Sequence, residues 1–184
     1  FSSAAERRGK NAPIQGVSSE IGLSATHLAL KQYDIFKRTH RYSPKTFPLF
    51  TRVVHDASYF EVPYADLLPF LWCYQYNATF GIAEHWEKVY QFKFPVPPEI
   101  KVEMSATEDN GNGWDWTLAN LRQCIEKTID DLIEVGNFPA TDRQDVLDQI
   151  LAPVRDPKLF QALQEEFPLL NVSELPKQVV RDLI

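Results

Sequence analysis

Neither a helix nor a central β-strand can run through residues 95–98 of this 184-residue chain, because Pro95, Pro97 and Pro98 lie together there. Proline lacks a backbone donor and drives the residue before it out of helical geometry. An extended connector is what remains, and it divides the chain. The residues after it are acidic and then rich in Gly and Asn (Glu103, Glu108, Asp109, Asn110, Gly111, Asn112, Gly113), so 95–113 reads as a solvated linker. Ahead of it, Gly81 to Phe94 reads as a helix stopped by Pro95. Ile82, Trp86, Val89 and Tyr90 share one face there, and Glu87 and Lys88 face solvent.

Residues 1–22 mix Ser, Ala, Gly, Arg7, Arg8 and Lys10 without a period, and an extended N-terminal arm is expected. Residues 23–184 form a single helical domain. Its aromatic-rich half, 23–94, begins with a helix capped by Ser24 and running to about Thr39, with Leu28, Tyr33 and Phe36 inward. Ser43-Pro44 breaks it. Thr46 to Tyr59 reads as a second helix, with Pro48 in its first turn and Phe50, Val53, Val54 and Ala57 as its stripe. Pro63 opens a third helix through Leu67, Leu68, Leu71, Trp72 and Tyr76, with Pro69 as a point of bending. Asn77 to Gly81 marks a joint before the next helix. Aromatic residues are dense from Phe47 to Phe94, and each ring buries ~150–250 Å², so this half supplies most of a core.

The half from 114 to 184 carries the strongest helical pattern, Trp116 to Val135, with Leu118, Leu121, Ile125, Thr128 and Leu132 at 3–4 spacing and Ile129 and Ile133 on the flank. At ~1.5 Å per residue it would reach ~30 Å, with Gly136 as its stop. Shorter helices follow over Thr141–Leu151 and from Asp156-Pro157 through Leu159, Phe160, Leu163 and Phe167, with Ser173 opening a last turn. No repeat occurs, and no alternation exceeds a short hairpin; Ile100 to Met104 is the β candidate. The expected fold is all-α: an elongated helical protein with one long helix, a proline-rich connector and several shorter helices.

Apolar residues at 44% and charged residues at 24% support a folded core rather than disorder. A net charge of −6 gives no positive field for nucleic acid or anionic lipid. Cys73 and Cys124 match no metal or redox spacing and sit among apolar residues, as buried free thiols do. No apolar run reaches the ~20 residues that cross a bilayer. The start Phe1-Ser2-Ser3, without Met, is compatible with removal of a mitochondrial transit peptide and equally with trimming of the chain.

Reactive constellations are sparse. His55-Asp56 and Glu84-His85 are adjacent pairs, and neighbours on a helix diverge by ~100°, so neither makes a bidentate site. No Glu lies three residues before a His, which a di-metal helix bundle requires. There is no phosphate loop and no nucleophile elbow. No catalytic, cofactor-binding or metal residue is assigned. Asp130-Asp131 and Glu165-Glu166 are explained by exposed helix faces. Lys37 to Tyr42 interleaves bases and aromatics as RNA-binding segments do, but no RNA-binding module accompanies it. Trp114 and Trp116 either anchor a partner or fold onto their own core.

Several segments together resemble subunit d of the mitochondrial F-type ATP synthase. They are Leu30-Lys31 followed by Tyr33-Asp34, then Trp72 and Tyr74, Gly81-Ile82, Trp86-Glu87-Lys88, Tyr90, and Pro95, Pro97, Pro98-Glu99. An acidic stretch leading to a long helix follows in both, and Val172 to Leu175 resembles the family's closing segment. The likeness is firm over about 20 residues near 81–99 and diffuse from 28 to 135. This chain departs from the family in more aromatics, fewer lysines, the Asn-Gly insert and a longer N-terminal arm. The resemblance implies a non-catalytic stator component on the matrix side of the inner membrane, in a hetero-oligomer with the stalk's long helical subunit and its head-attachment subunit. It implies no cofactor, no nucleic acid and no membrane span of its own. Trp114, Trp116, Leu118, Leu121, Ile125, Ile129 and Leu132 are then the expected partner contacts, some shared with the internal core. The alternatives are an accessory helical subunit of another mitochondrial assembly and a small helical enzyme or ligand-binding protein.

Overall fold

The computed structural model describes residues 2–42, 46–54, 57–95, 103–104, 114–115, 121–136 and 138–168; side chains at 2–15, 103–104, 114–115 and 121 lie outside that description. The protein is mostly helical, with two small antiparallel ladders. It is therefore not purely all-α.

Helix α1 runs from Ser2 to Thr39. The expected arm at 1–22 is helical from Ser2 onward, and Ser24 lies inside the helix rather than capping it. Gly9, Pro13 and Gly16 weaken helical propensity in this segment, which is why the sequence reads as irregular. Further along, Ala25, Ala29, Tyr33 and Phe36 are buried at spacings of four, four and three residues. The two alanines let the backbone of α1 approach its neighbours closely. The helix closes with Arg41 in the left-handed region, where Tyr42 N–H donates to Lys37 O at 3.0 Å and Arg41 N–H to Arg38 O at 3.4 Å. This Schellman closure stops the chain before Ser43-Pro44.

The expected second helix is a β-hairpin. Strand β1, Leu49–Val54, pairs antiparallel with β2, Ala57–Glu61, from Leu49↔Glu61 to Val54↔Ala57. Two apolar residues in a row fit a helical stripe as well as a strand, but Phe50, Thr51, Val53, Val54, Tyr59 and Phe60 are β-branched or aromatic and favour a pleated surface. Phe60 decides the matter by packing on the next helix, with ring centroids 5.1 Å from Phe70 and 5.2 Å from Tyr74.

That helix, α2 (Tyr64–Tyr76), is the hub. Leu68 through Cys73 are buried without interruption, so α2 is apolar all round, as a central helix must be. Leu68 and Leu71 meet Cys124, Ile125, Ile129, Val146, Leu147 and Ile150. Phe70, Trp72 and Cys73 meet α1 and the last described helix. The expected joint at Asn77–Gly81 is a single π-helical turn, after which α3 continues over Ile82–Tyr90. Gln91, with φ 53°, ends α3 ahead of Pro95.

β3 (Glu103–Met104), within the expected linker, pairs with β4 (Trp114–Asp115) just after it. Met104 falls in the Ile100–Met104 β candidate. Helix α4 spans Leu121–Glu134, and Gly136 at φ 78° terminates it as expected. The long helix expected over 116–135 is described only from Leu121. Helices α5 (Arg143–Arg155) and α6 (Pro157–Glu166) complete the fold. Asp156 caps α6 as the sequence implies, its carboxylate accepting from the backbone of Lys158 at 2.9 Å. The turn expected at Ser173 lies outside the described residues.

Candidate interaction surface

The densest polar cluster surrounds Asp66, which is fully buried in the first turn of α2. Its Oδ1 accepts from the Tyr33 hydroxyl at 2.6 Å and Lys37 Nζ at 2.9 Å, and its Oδ2 from Thr46 Oγ1 at 2.7 Å. Lys37 also donates to the carbonyl of Thr46, and Tyr42 to the carbonyl of Ala65. Burial pushes the Tyr33 phenol far above its ordinary value, and the hydrogen bond to Asp66 pushes it further. Burial also raises Tyr42, and the negative charge of nearby Asp66 adds to it. Both carboxylate oxygens are engaged by the chain's own donors, and the phenols stay protonated. The cluster can therefore act as a clamp holding α1, the segment before β1 and α2 together.

Three side chains of the basic stretch at the end of α1 have acidic partners within the chain. Lys37 pairs with Asp66, Arg38 with Asp34, and His40 with Glu166 of α6. His27 is exposed and His85 half-buried. Among the described residues, no three His, Cys, Asp or Glu side chains converge as metal ligands. Both cysteines are buried, and neither forms a disulfide. Burial drives the Cys73 thiol upward in pKa. A shallow, open cleft of ≈ 300 Å³ beside β1 is lined by Phe47, Leu49, Glu61, Val62 and Pro63, and it is too open to enclose a small molecule.

Of the seven expected partner contacts, only Ile125, Ile129 and Leu132 have described side chains, and the first two are buried in the core. Ile125 and Ile129 are each 1% exposed and pack on α5 and α2. The inward stripe of α4 is Cys124, Ile125 and Ile129, with Ile133 at its edge, so it is turned relative to the expected one. Leu132 is half-buried on the flank. Leu121 opens α4 with its side chain outside the description, Trp114 lies on β4, and Trp116 and Leu118 fall outside the described residues.

What reaches solvent is the run-out of α3. Its apolar face begins with buried Ile82 and half-buried Trp86, then continues into Val89, Tyr90 and Phe92 at 55%, 52% and 47% exposure. Trp86 gathers Tyr90, Phe94 and Phe92 at centroid distances of 5.0, 5.6 and 6.1 Å. Phe92 and Phe94 stand edge to face at 5.0 Å. On α1, Ile21 packs beside Trp86, and Val17, one turn earlier, is exposed. The seam between α1 and α3 thus opens toward the N-terminal end of α1. Compared with known protein families, curated proteins and solved structures, the chain matches none. Its own geometry is what remains, and a cluster of rings left half-exposed at the end of a helix suits protein binding better than chemistry. The 3.6-residue pattern placed these rings on one face. That α1 would cover only the first turns of that face was not readable from the pattern.

Proposed function

We propose that this chain is a non-catalytic structural subunit of the mitochondrial ATP synthase peripheral stalk, bracing the catalytic head against rotation. In this reading it sits on the matrix side of the inner membrane, in a hetero-oligomer with the stalk's long helical subunit and the head-attachment subunit. The observation that carries the reading is a coincidence of two features in one segment. Residues 81–99 bear the firmest likeness to subunit d, and the same segment holds the half-exposed ring cluster of Trp86, Tyr90, Phe92 and Phe94. A bracing subunit needs stiff rods that present apolar surface to neighbours. The 38 residues of α1, at ~1.5 Å each, would make a rod of ~57 Å. Among the described residues no helix is long and apolar enough to cross a membrane, so attachment in this reading is through other chains.

Affinity purification of the tagged chain from mitochondria, with the co-migrating proteins identified by mass spectrometry, tests this. Stalk subunits are expected in stoichiometric amounts. Their absence, with a different respiratory assembly recovered instead, would replace the reading with the accessory-subunit alternative. A lone, stable monomer would remove both.

A further inference from the structure

Among the described residues, two buried side-chain polar atoms have no hydrogen-bond partner: Asn77 Oδ1 and Trp86 Nε1. Both belong to the same junction. Asn77 opens the π-turn between α2 and α3, and Trp86 lies on the face that this turn aims at α1. Buried polar atoms are nearly always paired, so two lapses in one place single out this junction.

The π-turn is held by its own side chains. Asn77 Nδ2 donates to the Cys73 carbonyl at 2.9 Å and to Gln32 Oε1 on α1 at 3.2 Å. Thr79 Oγ1 donates to the carbonyls of Gln75 at 2.8 Å and Tyr76 at 3.2 Å. Gly81 makes the arrangement possible, since a Cβ there would stand 2.5 Å from Asn77 Oδ1. Asn77, Thr79 and Gly81 therefore specify a widened turn, which inserts one residue and rotates everything beyond it by ~100°. That rotation brings Ile82 and Trp86 onto α1. Among the described residues, the anchorage beyond the turn is thin: the buried cluster joining α3 to α1 is Ala25, Ala78 and Ile82, with Ile21, Leu28, Tyr74 and Trp86 half-buried against it. The clusters around α2 hold ten buried residues each.

We propose that the π-turn is a joint about which α3 leaves α1 as a unit while the α2 core stays closed. In the closed form the Trp86 N–H is shut away from any acceptor. In the open form it meets water or a partner carbonyl, and Ile82, Trp86 and Tyr90 become one continuous apolar stripe. Presentation of that stripe to a partner helix rests on the function proposed above. The opening itself is a property of the isolated chain.

Hydrogen–deuterium exchange of the purified full chain, read on peptides covering 82–90 and 143–155, tests the joint. Segment 82–90 is expected to exchange at least ~10-fold faster than 143–155, corrected for intrinsic rates. Gly81→Ala, which displaces the Asn77 amide, should speed 82–90 by a further ~10-fold and leave 143–155 unchanged. If Gly81→Ala does not fold, Thr79→Val decides by the same comparison, with ~3–10-fold faster exchange confined to 82–90. Equal protection of the two segments in the wild type, or acceleration of both together in the variants, would overturn the proposal. Failure to recover stalk subunits from mitochondria would leave these rates untouched, so the two ideas fail separately.

Discussion

Trp72 and Trp86 are the same residue in the same continuous helical run, and they are treated in opposite ways. Trp72 is 1% exposed, donates its Nε1–H to the carbonyl of Phe167 at 2.9 Å, and stands edge to face with Phe160 at 5.8 Å. Trp86 keeps its indole nitrogen unpaired among rings that are themselves half in solvent. Around Trp72 every side of the helix has a partner: α1, α4, α5 and α6 all reach α2. Among the described residues, the cluster that holds Trp86 draws on Ile21, Ala25 and Leu28 of α1, with Tyr74, Ala78 and Ile82 from its own helical run. Aromatic density alone does not identify a core. The number of neighbouring elements that reach a ring does.

The comparison can be broken most severely at the clamp beneath Trp72. Asp66→Ala leaves the Lys37 ammonium and the Tyr33 hydroxyl buried without their acceptor and should cost ~3–5 kcal/mol of unfolding free energy in urea titrations. A loss below ~1 kcal/mol would mean that the cluster is not a clamp. Replacing each indole by phenyl sharpens the contrast. Trp72→Phe strands the Phe167 carbonyl in the core and should cost ~1–3 kcal/mol. Trp86→Phe deletes a donor that has no acceptor and should fall within ~0.5 kcal/mol of wild type. Equal losses at the two sites would erase the distinction.

Titration probes the same core. Cys73, Tyr33 and Tyr42 have folded-state pKa values raised above their unfolded values of 9.0 for the thiol and 10.0 for the phenols. Groups of this kind contribute their full stability below the unfolded pKa and lose it as pH climbs toward the folded one. The urea midpoint should therefore be flat with respect to these groups up to about pH 9 and fall progressively above it. Cys73→Ala should soften the first part of that fall, and an unchanged profile in this variant would exclude the thiol as its source. The smallest effect belongs to the surface. Hydrogen bonding from Arg143 holds the Asp130 carboxyl below its ordinary value, yet the pair is largely solvent-facing, so Asp130→Asn should cost ~0–1 kcal/mol and less at high salt. A loss above ~2 kcal/mol would show this pair to be structural.

The sequence was legible where a local rule dominates. Asp156-Pro157 opened a helix, Gly136 closed one, and Asn77 to Gly81 marked a joint, because caps, left-handed stops and small-residue turns are set by a few adjacent residues. It misled where two periods coincide over a few residues. Phe50, Val53 and Val54 satisfy a helical stripe, and the same segment satisfies a strand whose partner is twelve or fewer residues away. The irregular composition of residues 1–22 concealed a helix. On α4 the helix was evident, and Ile125 and Ile129, expected to be shared with the internal core, belong to it with α5, on a face turned toward Cys124. An Asp at Ile125 would act on folding before it acted on any docking. Asp66, the centre of the polar cluster, carried no warning, since its partners come from 20 to 33 residues away.

The chain's own order of residues determined its helical character, its main breaks and the apolar face that holds Ile82, Trp86, Val89 and Tyr90, for these follow from backbone propensity and from spacing along one element. Tertiary structure alone decided which of those faces is closed: α2 is surrounded, α4 is covered by α5, and the end of α3 stays open to solvent. Burial is a property of pairs of surfaces, and a periodicity reports only one member of each pair.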